Sequence, residues 1–183
     1  MSLGVRVAGV LDGEAIAALH AESWQRSYRG IMPDAFLDGA VVEERRRHWR
    51  HRLAAPGEGE LVLLAEDADG LAGFTAFGPD PADDRSAGHI DNLHVAAGRQ
   101  GRGVGRRLLG EAAARLAEAG RRRVHLWVFD ANARALRFYL SLGGEAAEHG
   151  FDLVEGTPVA HTRIVWSDTA ALAEACRSRA GFE

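Results

Sequence analysis

The run Arg99-Gln100-Gly101-Arg102-Gly103-Val104-Gly105 constrains this chain more than any other, because it joins a short apolar segment ending at Val95 to a long amphipathic one over residues 103–119. A strand must hand over to a helix through a turn crowded with glycine. Glycine has no Cβ and accepts positive φ, so the turn can fold tightly and leave backbone N–H groups open at the helix start, where the helix dipole adds partial positive charge. Such a place binds anions, and Arg99, Arg102 and Arg106 surround it with cations. A plain surface turn is the alternative. A nucleoside-triphosphate loop would need Lys followed by Ser or Thr after its last glycine, where this chain has Arg106-Arg107. The dinucleotide fingerprint Gly-x-Gly-x-x-Gly is also missing, since the spacing from Gly101 is Gly-x-Gly-x-Gly.

The remaining elements follow from periodicity. Val5 to Leu11 reads as a first strand, and Asp12-Gly13-Glu14 opens a helix bearing Ile16, Leu19, His20 and Trp24 at helical spacing. Pro33-Asp34 restarts a helix through Phe36 and Leu37, and Val41 to Leu53 continues as a strongly basic helix. Leu61 to Ala65 and Leu71 to Phe77 flank an acidic, glycine-containing turn and predict an antiparallel hairpin. A polar stretch, Gly78 to Ala87, precedes a strand from Gly88 to Val95. The helix over 103–119 aligns Val104, Leu108, Leu109, Ala112 and Leu116 and stops at Gly120. Arg123 to Phe129 is a strand, Asn132 to Leu142 a helix closed by Gly143-Gly144, and Phe151 to Val154 with Val159 to Trp166 a last hairpin-like pair. This order predicts an α/β (α+β mixed) fold, a central mixed, mostly antiparallel sheet with helices on both faces. A length of 183 residues suits one domain, residues 1–166, followed by a tail over 167–183 expected to form a short helix.

Composition narrows the partners. A net charge of −4, from 22 basic and 26 acidic residues, gives no field that would draw nucleic acid or an anionic membrane. Cys176 is alone, which excludes an internal disulfide framework, and nothing beside it would activate a thiol. Arg6 and Asp12 interrupt any secretory run, and no stretch reaches the length that spans a bilayer, so a cytoplasmic protein without a metal is expected.

Gln100-Gly101-Arg102-Gly103-Val104-Gly105 resembles the Gln/Arg-x-x-Gly-x-Gly/Ala turn with which the GNAT superfamily of acyl-CoA-dependent N-acyltransferases binds the coenzyme A pyrophosphate. Ile90-Asp91-Asn92-Leu93-His94-Val95 resembles that family's central strand, and Asn132 to Gly143 its next motif. The likeness is sharp from Gly88 to Gly144, and the order of elements on either side agrees. It implies a bulged strand around Leu93 to Val95 that splays from the strand around Leu126 to Val128, freeing the backbone of Leu93, His94 and Val95 for pantetheine. By the same resemblance Gln100, Gly101, Arg102, Gly103, Val104, Gly105 and Arg106 hold the pyrophosphate, Asn132 reaches the cofactor, and Tyr139 protonates the departing thiolate. Their residue types also allow Asn132 as a helix N-cap and Tyr139 as a core aromatic. The implied activity is direct transfer of an acetyl group from acetyl-CoA to a primary amine of a small molecule or peptide. A catalytically silent acyl-CoA sensor is the alternative, and a homodimer through a sheet edge stays open.

An attacking amine must be neutral, so a base or a water chain has to remove its proton. His89 and Asp91, at the start of the central strand, are the candidates, and both are also common surface residues. By the resemblance Trp24 and Tyr28, with Phe36 and Trp49 beyond, wall the acceptor pocket, while aromatics at helical spacing are by default core residues; Glu22 nearby would suit a cationic amine. Trp127 stands where family members that acetylate protein N-termini carry a glutamate, which argues against that substrate. Arg45-Arg46-Arg47 and Arg121-Arg122-Arg123 read as solvated faces, with contact to the cofactor's 3′-phosphate the alternative for either run.

Overall fold

The computed structural model describes residues 3–80, 82, 86–154 and 156–178. The chain runs β1 (Gly4–Val7), α1 (Gly13–Ser27), α2 (Val41–Ala54), β2 (Leu61–Asp67), β3 (Gly70–Pro79), β4 (Ala87–Val95), α3 (Val104–Glu118), β5 (Arg123–Phe129), α4 (Ala133–Ser141), β6 (Glu145–Val154), β7 (Thr157–Trp166) and α5 (Thr169–Ser178). Strands β2 and β3 bury residues on both faces, so each side of the sheet needs a helical layer. On one side Val62, Leu64, Phe74 and Ala76 pack with Ile16 and Ala17 of α1 and Trp49 of α2. On the other, Leu63, Ala65, Phe77 and Leu126 pack with Leu108, Leu109, Ala112 and Leu116 of α3. Helix α5 joins this second layer through Leu172, Ala173 and Cys176. It lies so close that a Cβ on Gly110 would come within 2.7 Å of the Cys176 Cβ.

The strand order is β1-β2-β3-β4-β5-β7-β6, and β4 with β5 is the parallel pair in an otherwise antiparallel sheet. That pairing lasts for only three steps, ending at His89 opposite His125. Both strands run on, β4 to Val95 and β5 to Phe129, without a further partner in each other. Across from β3, Phe77 faces Ile90 but Ala76 faces Asn92, which leaves Asp91 as an extra residue. The bulge therefore lies at Asp91, ahead of the Leu93 to Val95 stretch. It shifts the side-chain alternation, so that Ile90, Leu93 and Val95 all turn toward the α3 layer while His94 meets α1. Thr75 Oγ1 pins the kink by donating to the Asn92 carbonyl at 2.8 Å.

Three expected elements differ. The first strand stops at Val7, and Val10–Asp12 form a 3-10 turn, because the Asp12 carboxylate accepts the Gly9 N–H at 2.7 Å and is clamped by Arg6. The segment after Pro33 is a π-helical turn, Phe36–Ala40, that runs straight into α2. Strand β6 begins at Glu145 instead of Phe151; its first half is exposed and polar, held by β7 and marked by no apolar alternation. Residues 81 and 83–85 of the polar stretch before β4, and residues 179–183 of the tail, lie outside the described residues. No helix among the described residues is long and apolar enough to cross a membrane.

Candidate active site

Where β4 and β5 part, a cleft of about 2010 Å³ opens through the sheet. It is lined by Leu93, His94, Val95, Gln100 through Arg106, Asn132 and Tyr139 together with His89, Asp91, Trp24 and Tyr28, but not by Glu22, Phe36 or Trp49. The splay leaves the β4 edge beyond His89 and the β5 edge beyond His125 without a strand partner in each other, and unpaired strand edges accept an extended amide-bearing chain. At the far end of β4, Gln100 Nε2 donates to the Val95 carbonyl at 3.3 Å, which engages one of these backbone groups.

The glycine turn has the geometry that anion binding requires. Gly101 and Gly103 adopt φ of 79° and 77°, and a Cβ placed on either would meet no atom within 4 Å, so space lies open over the backbone. Gly103 is the N-cap of α3 and, without a side chain, caps none of the first-turn N–H groups. One expectation fails here. Arg99 is no mobile cation, because its guanidinium bridges Asp67 at 2.5 Å and Asp69 at 2.8 Å, tying the turn to the β2–β3 hairpin. Arg102 is exposed at the turn.

Tyr139 projects from α4 into the same cleft, 7% exposed and edge-on to Trp166 at 6.0 Å. Burial, with the neighbouring Tyr28 phenol adding to it, raises its pKa above the ordinary phenol value. Asn132 caps α4, its Oδ1 accepting from Ala135 N at 3.1 Å. Burial also raises Tyr28, with the Asn132 side chain beside it acting in the opposite sense. Asn132 therefore links the helix start to the aromatic wall.

On the α1–α2 side, Trp24 and Tyr28 meet edge-on at 5.6 Å, and Tyr28 meets Phe129 of β5 at 5.1 Å. Trp49 is fully buried and belongs to the core, its Nε1 donating to His20 Nδ1 at 3.0 Å. Glu22 is an exposed side chain paired with Arg26, away from the cleft lining. Arg45 is the reverse of a solvated residue: its side chain is 13% exposed and its guanidinium lies over the Trp24 ring, 4.4 Å from the centroid. Nothing in a run of three arginines distinguishes it, although its i+4 and i+7 relation to Trp49 and Arg52 places it on the inward side of α2.

The histidines separate into different environments. His94 bonds Ser23 Oγ through Nδ1 at 2.9 Å and stacks on Phe74, and its burial lowers its pKa to about 4. His89 sits at the vertex of the splay, 4.9 Å from His125, and burial lowers its pKa below the usual imidazole value. Asp91 is engaged, its carboxylate held by Arg52 and by Asn92 Nδ2. No group of three or more His, Cys, Asp or Glu among the described residues is placed to hold a metal ion.

A mixed sheet splayed at its parallel pair, with an open glycine turn at a helix start and a buried tyrosine across the gap, defines a transferase architecture. The family model of the acetyltransferase (GNAT) family matches residues 16–143. The chain is 30% identical over 171 residues to the uncharacterized N-acetyltransferase YuaI of Bacillus subtilis, covering 92% of this chain and 95% of that protein. PaiA N-acetyltransferase from Thermoplasma acidophilum, solved with coenzyme A, superposes with a TM-score of 0.71 at 19% identity, over 88% of this chain and 98% of that one. YncA from Salmonella typhimurium, solved with its cofactor acetyl-CoA, gives 0.68 at 21% identity over 91% and 94%. The chain belongs to the GNAT acetyltransferase family.

Proposed function

We propose that this protein moves the acetyl group of acetyl-CoA directly to the primary amine of a small molecule. The observation that carries this reading is the continuous cleft from the Gly101–Gly105 turn, past the unpaired edges of β4 and β5 and Tyr139, to the Trp24–Tyr28 wall. First-turn N–H groups of α3 take the pyrophosphate, and backbone of the splayed strands takes the pantetheine amides and polarises the thioester carbonyl. The amine nitrogen forms the C–N bond as the C–S bond breaks, its proton passes to a base, and the thiolate is protonated. His89 is the base, since a lowered pKa leaves it neutral and ready to accept. His94 holds its proton still more weakly, and Asp91 is occupied by Arg52.

Tyr139 stays protonated across the working pH range, so its hydroxyl is always available to the leaving sulfur. A thiol ordinarily ionises near about 8.5, below any phenol, but a thiolate formed beside Tyr139 shares the burial that raises the tyrosine, which narrows the gap. Thiol release from acetyl-CoA across a panel of amines tests the activity, and absence of turnover with every amine sinks it. Tyr139→Phe is expected to lower kcat by about 10²-fold or more with little change in coenzyme A affinity. Wild-type kcat should show an acid limb with a midpoint below about 6.5, and His89→Gln should lose that limb; an unaltered limb in the variant removes His89 as base.

A further inference from the structure

Arg45 is a partly buried cation with one side committed and the other open. Its Nε is held by Glu44, and its guanidinium plane stacks on Trp24. Among the described residues its Nη1 and Nη2 make no hydrogen bond, and Arg45 lines the cleft on the α1–α2 side of the sheet. One turn along α2, His48 also lines the cleft, and its Nε2 is buried without a partner. The acids nearby are already matched: Asp91 bonds Arg52, and Glu22 pairs with Arg26 outside. His20, His48 and His94 are all held toward neutrality by burial, with Arg45 acting in the same direction on each. A guanidinium fixed at Nε and by an aromatic face presents its Nη pair as a rigid fork, the geometry that receives a carboxylate in two parallel hydrogen bonds.

We propose that Arg45 is the specificity-determining residue of the acceptor site and that its Nη edge binds a carboxylate, so that the acceptors are amines that also carry an acid group, amino acids and their close analogues. This rests on the transferase reading above and narrows its substrate class. It reverses the cationic acceptor that Glu22 suggested, because Glu22 is absent from the cleft lining, whereas Arg45 lines it and keeps its Nη edge open beside its pair with Glu44. Stacking on Trp24 pre-orders a long side chain before substrate arrives, which lowers the entropic cost of binding.

The test compares matched pairs of acceptors, an amino acid against the amine left when its carboxylate is removed, at saturating acetyl-CoA. Wild type should prefer the carboxylate-bearing member by about 10-fold to 100-fold in kcat/KM, mostly through KM. Arg45→Gln should bring that ratio close to one, and Arg45→Lys, charged but without the fork, should restore part of it. Equal use of both members by wild type, or a ratio unmoved in Arg45→Gln, overturns the proposal. The affinity difference between coenzyme A and dephospho-coenzyme A should not change in Arg45→Gln; a change would assign Arg45 to the cofactor's 3′-phosphate instead. Calorimetric binding of an N-acetyl amino acid to the protein–coenzyme A complex reads the same subsite without turnover. Binding lost in Arg45→Gln supports the subsite even if no amine is acetylated, in which case the transferase reading alone fails.

Discussion

Gly103→Asp is expected to weaken coenzyme A binding by at least about 100-fold while the protein stays folded. Gly103 is the N-cap of α3 and the last residue before its open first-turn N–H groups, with φ of 77° and empty space where a side chain would start. A carboxylate there stands beside the proposed pyrophosphate position. At about 5 Å and an effective dielectric constant near 20, each pair of unit charges repels by about 3 kcal/mol, and about 1.4 kcal/mol is a factor of ten. The conformational cost is separate and smaller: a non-glycine residue at positive φ costs about 1–3 kcal/mol, with Asp and Asn among the better tolerated. Gly103→Asn isolates it, since Asn has the same shape and no charge. Calorimetric titration with coenzyme A should then rank wild type, Asn and Asp with the largest gap at the last step, while thermal melts of the two variants stay close together. Affinity retained in Gly103→Asp within about threefold would move the pyrophosphate away from this turn.

How much of this was legible before any coordinates follows from the kind of signal each feature leaves. Glycines at a strand-to-helix turn write their conformation into the sequence, and Gly101 and Gly103 hold the positive φ that the reading required. The bulge came only with the resemblance, which put it around Leu93 to Val95: that Ile90 and Leu93, three apart, both face α3 is a property of the fold, and the extra residue that allows it is Asp91. What lacked a local signal was not legible. Arg99, Arg45 and Asp91 are charged residues in polar surroundings, and their actual partners, Asp67, Trp24 and Arg52, lie far off in the chain. Trp49 and Trp24 look alike as aromatics on early helices, and the burial that makes one core and the other cleft is a property of packing against Phe74 and Arg45. The first half of β6 is a strand because β7 supplies its hydrogen bonds, which no pattern within Glu145 to Gly150 could announce.

Lowering the pH from 7 toward 4.5 is expected to strip several kcal/mol of stability from this protein through buried imidazoles. His125 is 4% exposed, and its pKa is lowered to about 4 by burial first, with His89 and Arg163 acting in the same direction. His94 is likewise lowered to about 4 by burial, with Arg45 adding to it, and His20 is pushed well below the usual imidazole value by burial and by its neighbour His94. The unfolded chain takes up these protons near about pH 6.5, so between about 6.5 and 4 it binds protons that the folded chain refuses. Stability is therefore complete above about 6.5, falls by up to about 1.4 kcal/mol per pH unit for each such histidine, and levels off below about 4. For His94 and His125 together the loss at pH 4.5 is about 5 kcal/mol, comparable to the whole stability of a modest domain. Urea unfolding midpoints measured from pH 7.5 down to 4.5 should drop steadily, with the steepest fall below about pH 6. Imidazole resonances assigned to His94 and His125 should remain those of the neutral ring down to about pH 5 in the folded protein. His94 shares the cleft with Arg45 and His89, and a urea midpoint that stays flat between pH 7 and 5 would show that the folded protein takes up protons near about pH 6.5 as the unfolded chain does, which would put a second positive charge beside the proposed carboxylate subsite below that pH.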